Sequence, residues 1–211
     1  MSVDLRSQLI ETTLAMNASG INSGTSGNLS VRNGEGMLIT PSGIRYGELR
    51  VDDIVFVDRN GDPQGSKKPS SEWRFHHDIY RQREDAEAVL HAHPQHCTAL
   101  ACLHKPMPAF HYMVAVAGGK NIRCANYATF GTQALSDNVL AALTNRKACL
   151  MANHGLVCMH VDLKKVLALA IEIENLAKTY SQCLALGKPV ILDDEEMARV
   201  IEKFRNYGAS C

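Results

Sequence analysis

Two histidines stand one residue apart in the run Val89-Leu90-His91-Ala92-His93-Pro94. In a β-strand, residues i and i+2 share a face, so both imidazoles would project together and could hold one cation between them. A third histidine, His154, follows another apolar run in Met151-Ala152-Asn153-His154-Gly155, where Gly155 frees the backbone to turn. Three imidazoles suit zinc, cobalt or manganese and leave positions open for a substrate. Glu72, in Pro69-Ser70-Ser71-Glu72-Trp73, opens a helix-like stretch and is a candidate general base beside such an ion. His76, His77, His96, His104, His111 and His160 read as ordinary core or surface polar residues.

Three short segments are built to meet an anion. Ser70 and Ser71 offer hydroxyls and free backbone N–H groups at a helix start. Ser23-Gly24-Thr25-Ser26-Gly27-Asn28 is a run of small residues whose N–H groups can form a concave nest. Thr40-Pro41-Ser42-Gly43 is a third tight turn. None has the spacing of a P-loop or a dinucleotide fingerprint. Each also has a purely local account: serine caps the helix, an acidic first turn suits the helix dipole, and small residues make turns.

The elements that must position these groups are readable as a mixture. A helix is predicted over 3–18, with Leu5, Leu9, Ile10, Thr13 and Leu14 as its apolar stripe and Gly20 at its end. Strands are predicted over 29–32, 37–40 and 54–58, with Arg59-Asn60-Gly61-Asp62 as a hairpin turn. Further on come a helix at 71–83, a strand at 88–93, helices at 95–104 and 133–143, and strands at 147–152 and 156–160. Two helices, 162–186 and 194–206, finish the chain around the break Gly187-Lys188-Pro189. The predicted class is α/β, one domain over 1–211, with a mostly antiparallel or mixed sheet flanked by helices.

Composition narrows the function. Apolar residues make up 45% and charged residues 21%, with 22 basic and 22 acidic side chains. That balance, without long charged runs, argues against nucleic acid or an anionic membrane as the main partner. No apolar run reaches the roughly 20 residues of a bilayer span. The seven cysteines are scattered, without a Cys-x-x-Cys pair, and read as small apolar fillers of a cytoplasmic protein. Lys120, Lys147 and Lys178 have no context that marks a Schiff-base nucleophile.

The ordered segments 24–32, 38–43, 69–76, 89–98, 111–119, 127–131 and 153–157 together resemble the class II aldolase/adducin family, nearest its L-fuculose-1-phosphate aldolase branch. The resemblance runs nearly end to end. It implies a metal-dependent cleavage of a ketose 1-phosphate to dihydroxyacetone phosphate and an aldehyde. It implies zinc held by His91, His93 and His154, with Glu72 completing the resting coordination and acting as base when displaced. It implies phosphate held by Thr25, Gly27, Asn28, Ser42, Gly43, Ser70 and Ser71. Tyr112 would act at the aldehyde end from a neighbouring subunit of a homotetramer, with Phe130 and Tyr207 shaping that end. Related family lyases, namely methylthioribulose-phosphate dehydratases and sugar-acid-phosphate decarboxylases, and non-catalytic adducin heads are the competing readings. Ser26, where alanine is commoner, and Asn153, where the fuculose enzymes often have histidine, are departures from the pattern.

Overall fold

A computed structural model describes residues 2–206. Eight strands form one sheet: β1 (Asn28–Asn33), β2 (Gly36–Ile39), β3 (Val55–Val57), β4 (Pro63–Gln64), β5 (Ala88–Ala92), β6 (Arg123–Ala125), β7 (Ala148–Met151) and β8 (Gly155–His160). Their order across the sheet is β4-β3-β2-β1-β5-β8-β7-β6. Every neighbouring pair is antiparallel except β6 and β7, as the hairpin-like spacing led one to expect.

The period-2 alternation of the central strands divides the interior into two cores. Ala88, Leu90 and Ala92 of β5, with Leu156 and Cys158 of β8, face one side. That side is covered by α1 (Ser2–Ala18), α3 (Gln95–Cys102), α5 (Leu163–Leu186) and α6 (Asp194–Asn206). Val89 of β5 and Val157 and Met159 of β8 face the other, under α2 (Trp73–Gln82) and α4 (Gln133–Ala142). Helix α1 buries Leu9, Thr13 and Met16 completely, whereas Leu14 of the predicted stripe is 42% exposed. Asp162 caps α5 by accepting from the Lys165 N–H at 2.6 Å. Thr132 caps α4 through the Leu135 N–H at 3.3 Å.

The sequence reading missed the smallest pieces. Strands β4 and β6 lie at the two edges of the sheet and are too short to show alternation. Short 3-10 helices at Tyr46–Glu48, Val51–Asp53 and Tyr112–Ala117 carry no full helical stripe. The turn predicted at 59–62 does join β3 to β4: the Asp58 N–H donates to Asp62 O at 3.1 Å, and Gly61 takes a positive φ of 90°. No described helix is long and apolar enough to cross a membrane.

Leu90 is fully buried on the central strand. Leu90→Ala is expected to lower stability by about 2–5 kcal/mol in urea denaturation. A loss below about 1 kcal/mol would contradict the packing described here.

Candidate metal centre and active site

His91 lies on β5 opposite Val157 of β8, and its ring points into the α2 side, edge-on to Phe75 at 5.7 Å. Its Nδ1 is 2.9 Å from Leu156 O. A carbonyl can only accept, so Nδ1 carries the proton and Nε2 presents a lone pair. His93 falls just beyond the end of β5, yet its Nε2 lies 2.9 Å from His91 Nε2. His154 arrives from the turn between β7 and β8. Asn153 enters the left-handed region there, at φ 51°, and its N–H is held by Ala101 O at 3.1 Å. Gly155 then permits a close approach: a Cβ on it would sit 2.5 Å from Ala92 O and 2.8 Å from His93 Cδ2.

The ligand atoms of His91, His93 and His154 all lie within 4.8 Å of one another. Nitrogens around a tetrahedral zinc stand roughly 3.3 Å apart, so little adjustment is needed. Glu72 closes the fourth side. Its Oε2 is 3.2 Å from His91 Nε2, and its Oε1 is 3.1 Å from His154 Nε2. Oε1 is buried and accepts no well-formed hydrogen bond. Lone pairs thus converge from nitrogen and oxygen with few protons to share, a donor set that fits a divalent cation.

Glu72 occupies the N-cap position of α2 rather than its first turn, because the Trp73 N–H bonds back to Ser70 O at 3.0 Å. Its side chain nonetheless makes no capping bond and turns to the histidines, while Ser70 Oγ accepts the Glu72 N–H at 3.3 Å. Burial alone would raise the Glu72 carboxyl, but positive charge on the side of His91 and His154, from protonated imidazoles or a cation in their place, outweighs it and holds the group well below the usual carboxylate range. Burial, reinforced by His91 and His154, pushes the His93 imidazole down to about 4. Burial likewise pushes His76 down to about 3.

The three predicted anion segments meet beside this cluster. Thr40 N–H bonds to Leu29 O at 3.1 Å, and Ser70 N–H to Thr40 O at 3.0 Å, while the Ser42 N–H bonds to Lys68 O at 3.0 Å. Gly27 has no room for a side chain, since a Cβ would lie 2.7 Å from His91 O. The loop from Ser23 to Asn28 is thereby pressed against the strand that carries His91. Thr25, Ser42, Gly43 and Ser71 are exposed, whereas Gly27, Asn28 and Ser70 are buried. The Asn28 carboxamide turns inward, donating to Glu72 Oε2 at 3.0 Å and facing His76 Nε2 with its oxygen.

A cavity of about 280 Å³ opens over the cluster, lined by Ser26, Ser71, Glu72, His93, Phe130 and His154, among others. Phe130 and Tyr127 on its rim are 64% and 59% exposed. Tyr112 is not brought there within one chain. It lies beside Phe110, Val200 and Phe204 in a separate cavity of about 790 Å³. Tyr207 lies outside the described residues. The buried His76, Ser30 and Tyr80 behind Asn28 were not anticipated, although Glu72, His76 and Tyr80 at i, i+4 and i+8 are a helical stripe visible in the sequence.

Two outcomes are expected. Gly155→Ala should weaken metal binding on the order of tenfold or more, read as metal retained after dialysis; unchanged retention would argue against the close packing of His93 on Gly155. His76 and His93 both bind a proton less readily in the folded chain than at their ordinary 6.5. The unfolded chain therefore takes up protons first on acidification. Chelator-treated protein should lose stability as pH falls from about 6.5 toward 4, and further toward 3 for His76, in urea titrations at a series of pH values. A flat profile over that range would contradict the burial of these rings.

The family model described as Class II Aldolase and Adducin N-terminal domain matches residues 7–181. The chain is 53% identical over 206 residues to a 5-methylthioribulose-1-phosphate/5-deoxyribulose-1-phosphate aldolase of Rhodospirillum rubrum, covering 98% of this chain and 93% of that one. It is 54% identical over 205 residues to an L-fuculose phosphate aldolase of Escherichia coli, covering 97% and 95%. A solved structure of an L-fuculose 1-phosphate aldolase superposes with a TM-score of 0.93 at 43% identity, covering 96% of each chain. On these matches, whose extent leaves little of the fold unaccounted for, the chain belongs to the class II aldolase and adducin family and is a lyase.

Proposed function

We propose that the chain is a metal-dependent aldolase that reversibly cleaves a ketose 1-phosphate to dihydroxyacetone phosphate and an aldehyde. The observation that carries this reading is the convergence of His91, His93, His154 and Glu72 at a cavity bordered by three anion-suited turns. Three neutral histidines leave the full charge of a bound divalent ion available, and zinc, cobalt and manganese all suit them. Such an ion, when bound, supplies positive charge that stabilises the enediolate left by carbon–carbon cleavage.

The remaining work falls to the chain itself. Thr25, Gly27, Asn28, Ser42, Gly43, Ser70 and Ser71 form the proposed phosphate cradle. The phosphate end thus supplies binding energy remote from the reacting carbons and fixes them beside Glu72. In the cleavage direction the C3–C4 bond breaks and its electron pair stays with the dihydroxyacetone phosphate fragment. The C4 hydroxyl loses its proton as the aldehyde carbonyl forms, and C3 gains one from Glu72, which would first take up a proton from water once it turns away from the histidines. Its held-down pKa keeps Glu72 ionised while it faces the histidines. Tyr112, exposed in one chain, would exchange the proton of the aldehyde oxygen from a neighbouring copy in a homotetramer. Phe130 and Tyr207 would shape the aldehyde end. A cytoplasmic enzyme of small phosphorylated sugars fits this set.

The relatives divide at 53% and 54% identity between 5-deoxypentulose and fuculose phosphates, so the aldehyde is to be read by assay. Metal-replete enzyme should release dihydroxyacetone phosphate from L-fuculose 1-phosphate, 5-deoxyribulose 1-phosphate or 5-methylthioribulose 1-phosphate, and a strong chelator should abolish the release. Glu72→Gln should keep the fold and lose at least about a hundredfold in kcat. No release from any of the three despite bound metal would overturn the aldolase reading and favour a dehydratase or decarboxylase. Full activity of Glu72→Gln would overturn the role of Glu72.

A further inference from the structure

Behind Glu72 a line of buried polar side chains runs from Asn28 of the proposed phosphate cradle to His76, Ser30 and Tyr80, and the last three are given no part in the reaction above. Asn28 Nδ2 lies 3.0 Å from Glu72 Oε2, and Asn28 Oδ1 lies 2.5 Å from His76 Nε2. His76 Nδ1 is 2.7 Å from Ser30 Oγ, which is 2.9 Å from the Tyr80 hydroxyl. Ser30 and His76 are fully buried. Glu72 stands at the N-cap of α2, His76 and Tyr80 follow on successive turns of the helix, and β1 contributes Asn28 and Ser30 from one face. Four helical residues advance about 6 Å. Two strand residues advance about 6.6 Å. The two ladders therefore stay in step over this length.

The direction of each bond follows from the first. A carboxylate only accepts, so Asn28 presents its Nδ2 to Glu72 and its Oδ1 to His76. Oδ1 only accepts, so His76 carries its proton on Nε2. Nδ1 is then a lone pair that accepts the Ser30 hydroxyl, and Ser30 accepts in turn from Tyr80. With the other tautomer of His76, two lone pairs would face each other at Asn28. A reversed carboxamide would set Oδ1 against the Glu72 carboxylate, which is buried and has nowhere to turn.

We propose that His76 is a positioning residue of the active site: its Nε2–H fixes the Asn28 carboxamide in the orientation that donates to Glu72 Oε2, while Ser30 and Tyr80 fix the His76 tautomer. Asn28 thereby holds one oxygen of Glu72 and leaves the other toward His154. The inference rests on the role given to Glu72 above, but the hydrogen-bond line can be tested apart from it.

The first readout needs no activity. Full-length, metal-free protein labelled with nitrogen-15 in its histidines should show His76 by NMR as the neutral Nε2–H tautomer, and Ser30→Ala should populate Nδ1–H. A charged or Nδ1–H His76 in the wild type at neutral pH overturns the proposal, whether or not the chain is an aldolase. The second readout uses zinc-loaded enzyme. His76→Leu should lower kcat on the order of tenfold to a hundredfold at unchanged zinc content, and His76→Gln, whose amide can still donate to Asn28, should recover most of it. Ser30→Ala should lower kcat severalfold alone and add nothing to His76→Gln, since an amide has no tautomer to lose; this pair carries the test should His76→Leu fail to fold. Retained kcat in His76→Leu, or equal losses in the Leu and Gln variants, overturns the proposal in favour of mere packing. If the wild type releases no dihydroxyacetone phosphate, or Glu72→Gln is fully active, it is the reading of Glu72 that fails, and the NMR result still decides the tautomer.

Discussion

A carboxylate kept charged out of water must be met on every side by donors or cations, and Glu72 imposes that condition on its surroundings. It is 5% exposed, at the point where α2 meets the sheet. Asn28 meets one oxygen from β1; His91 and His154 face the group from β5 and the turn before β8. The histidines are constrained in turn. Leu156 O holds the proton of His91 on the far nitrogen, so the near one is free to act as a ligand. The result is a cluster whose internal repulsions a divalent ion would relieve, as the proposed enediolate chemistry requires.

The sheet supplies the accuracy. His91 stands on a central strand hydrogen-bonded on both sides, and His154 stands where the adjoining hairpin turns. Glycines sit where backbones nearly touch: Gly155 against Ala92 and Gly27 against His91. The segments suited to phosphate are stitched to the same strands by backbone hydrogen bonds through Thr40 and Ser70. The proposed anion cradle and metal ligands therefore share one rigid frame, in which binding at one end of a substrate would be expressed as alignment at the other.

Exposure separates the parts of the site. Glu72 and His91 of the candidate metal centre are buried, and so are Asn28 and Ser70. Tyr112, Tyr127 and Phe130 are half-exposed or more in the single chain. A chemistry common to several phosphorylated ketoses would be set by the first group. Choice among aldehydes would fall to the second. The relatives are aldolases of different ketose phosphates at nearly equal identity, which agrees with that division.

The sequence by itself determined the period of the main elements, the mixed α/β class and the metal-ligand candidates, because these rest on local spacing: two residues apart on a strand, or a glycine beside a histidine. It also marked Glu72 and the three small-residue turns. Helix α1, strand β5 and the long helix α5 lie within a residue or two of their predicted limits. What only the tertiary structure decided are the meetings between distant segments. His154 joins His91 across a hairpin register, Tyr112 turns away from the cluster, and β4 and β6 exist as edge strands too short to leave a pattern. The line from Glu72 to Tyr80 was hidden for the same reason. Each half is a plain periodicity in the sequence, and the matched advance of helix and strand gains meaning only when α2 is laid across β1.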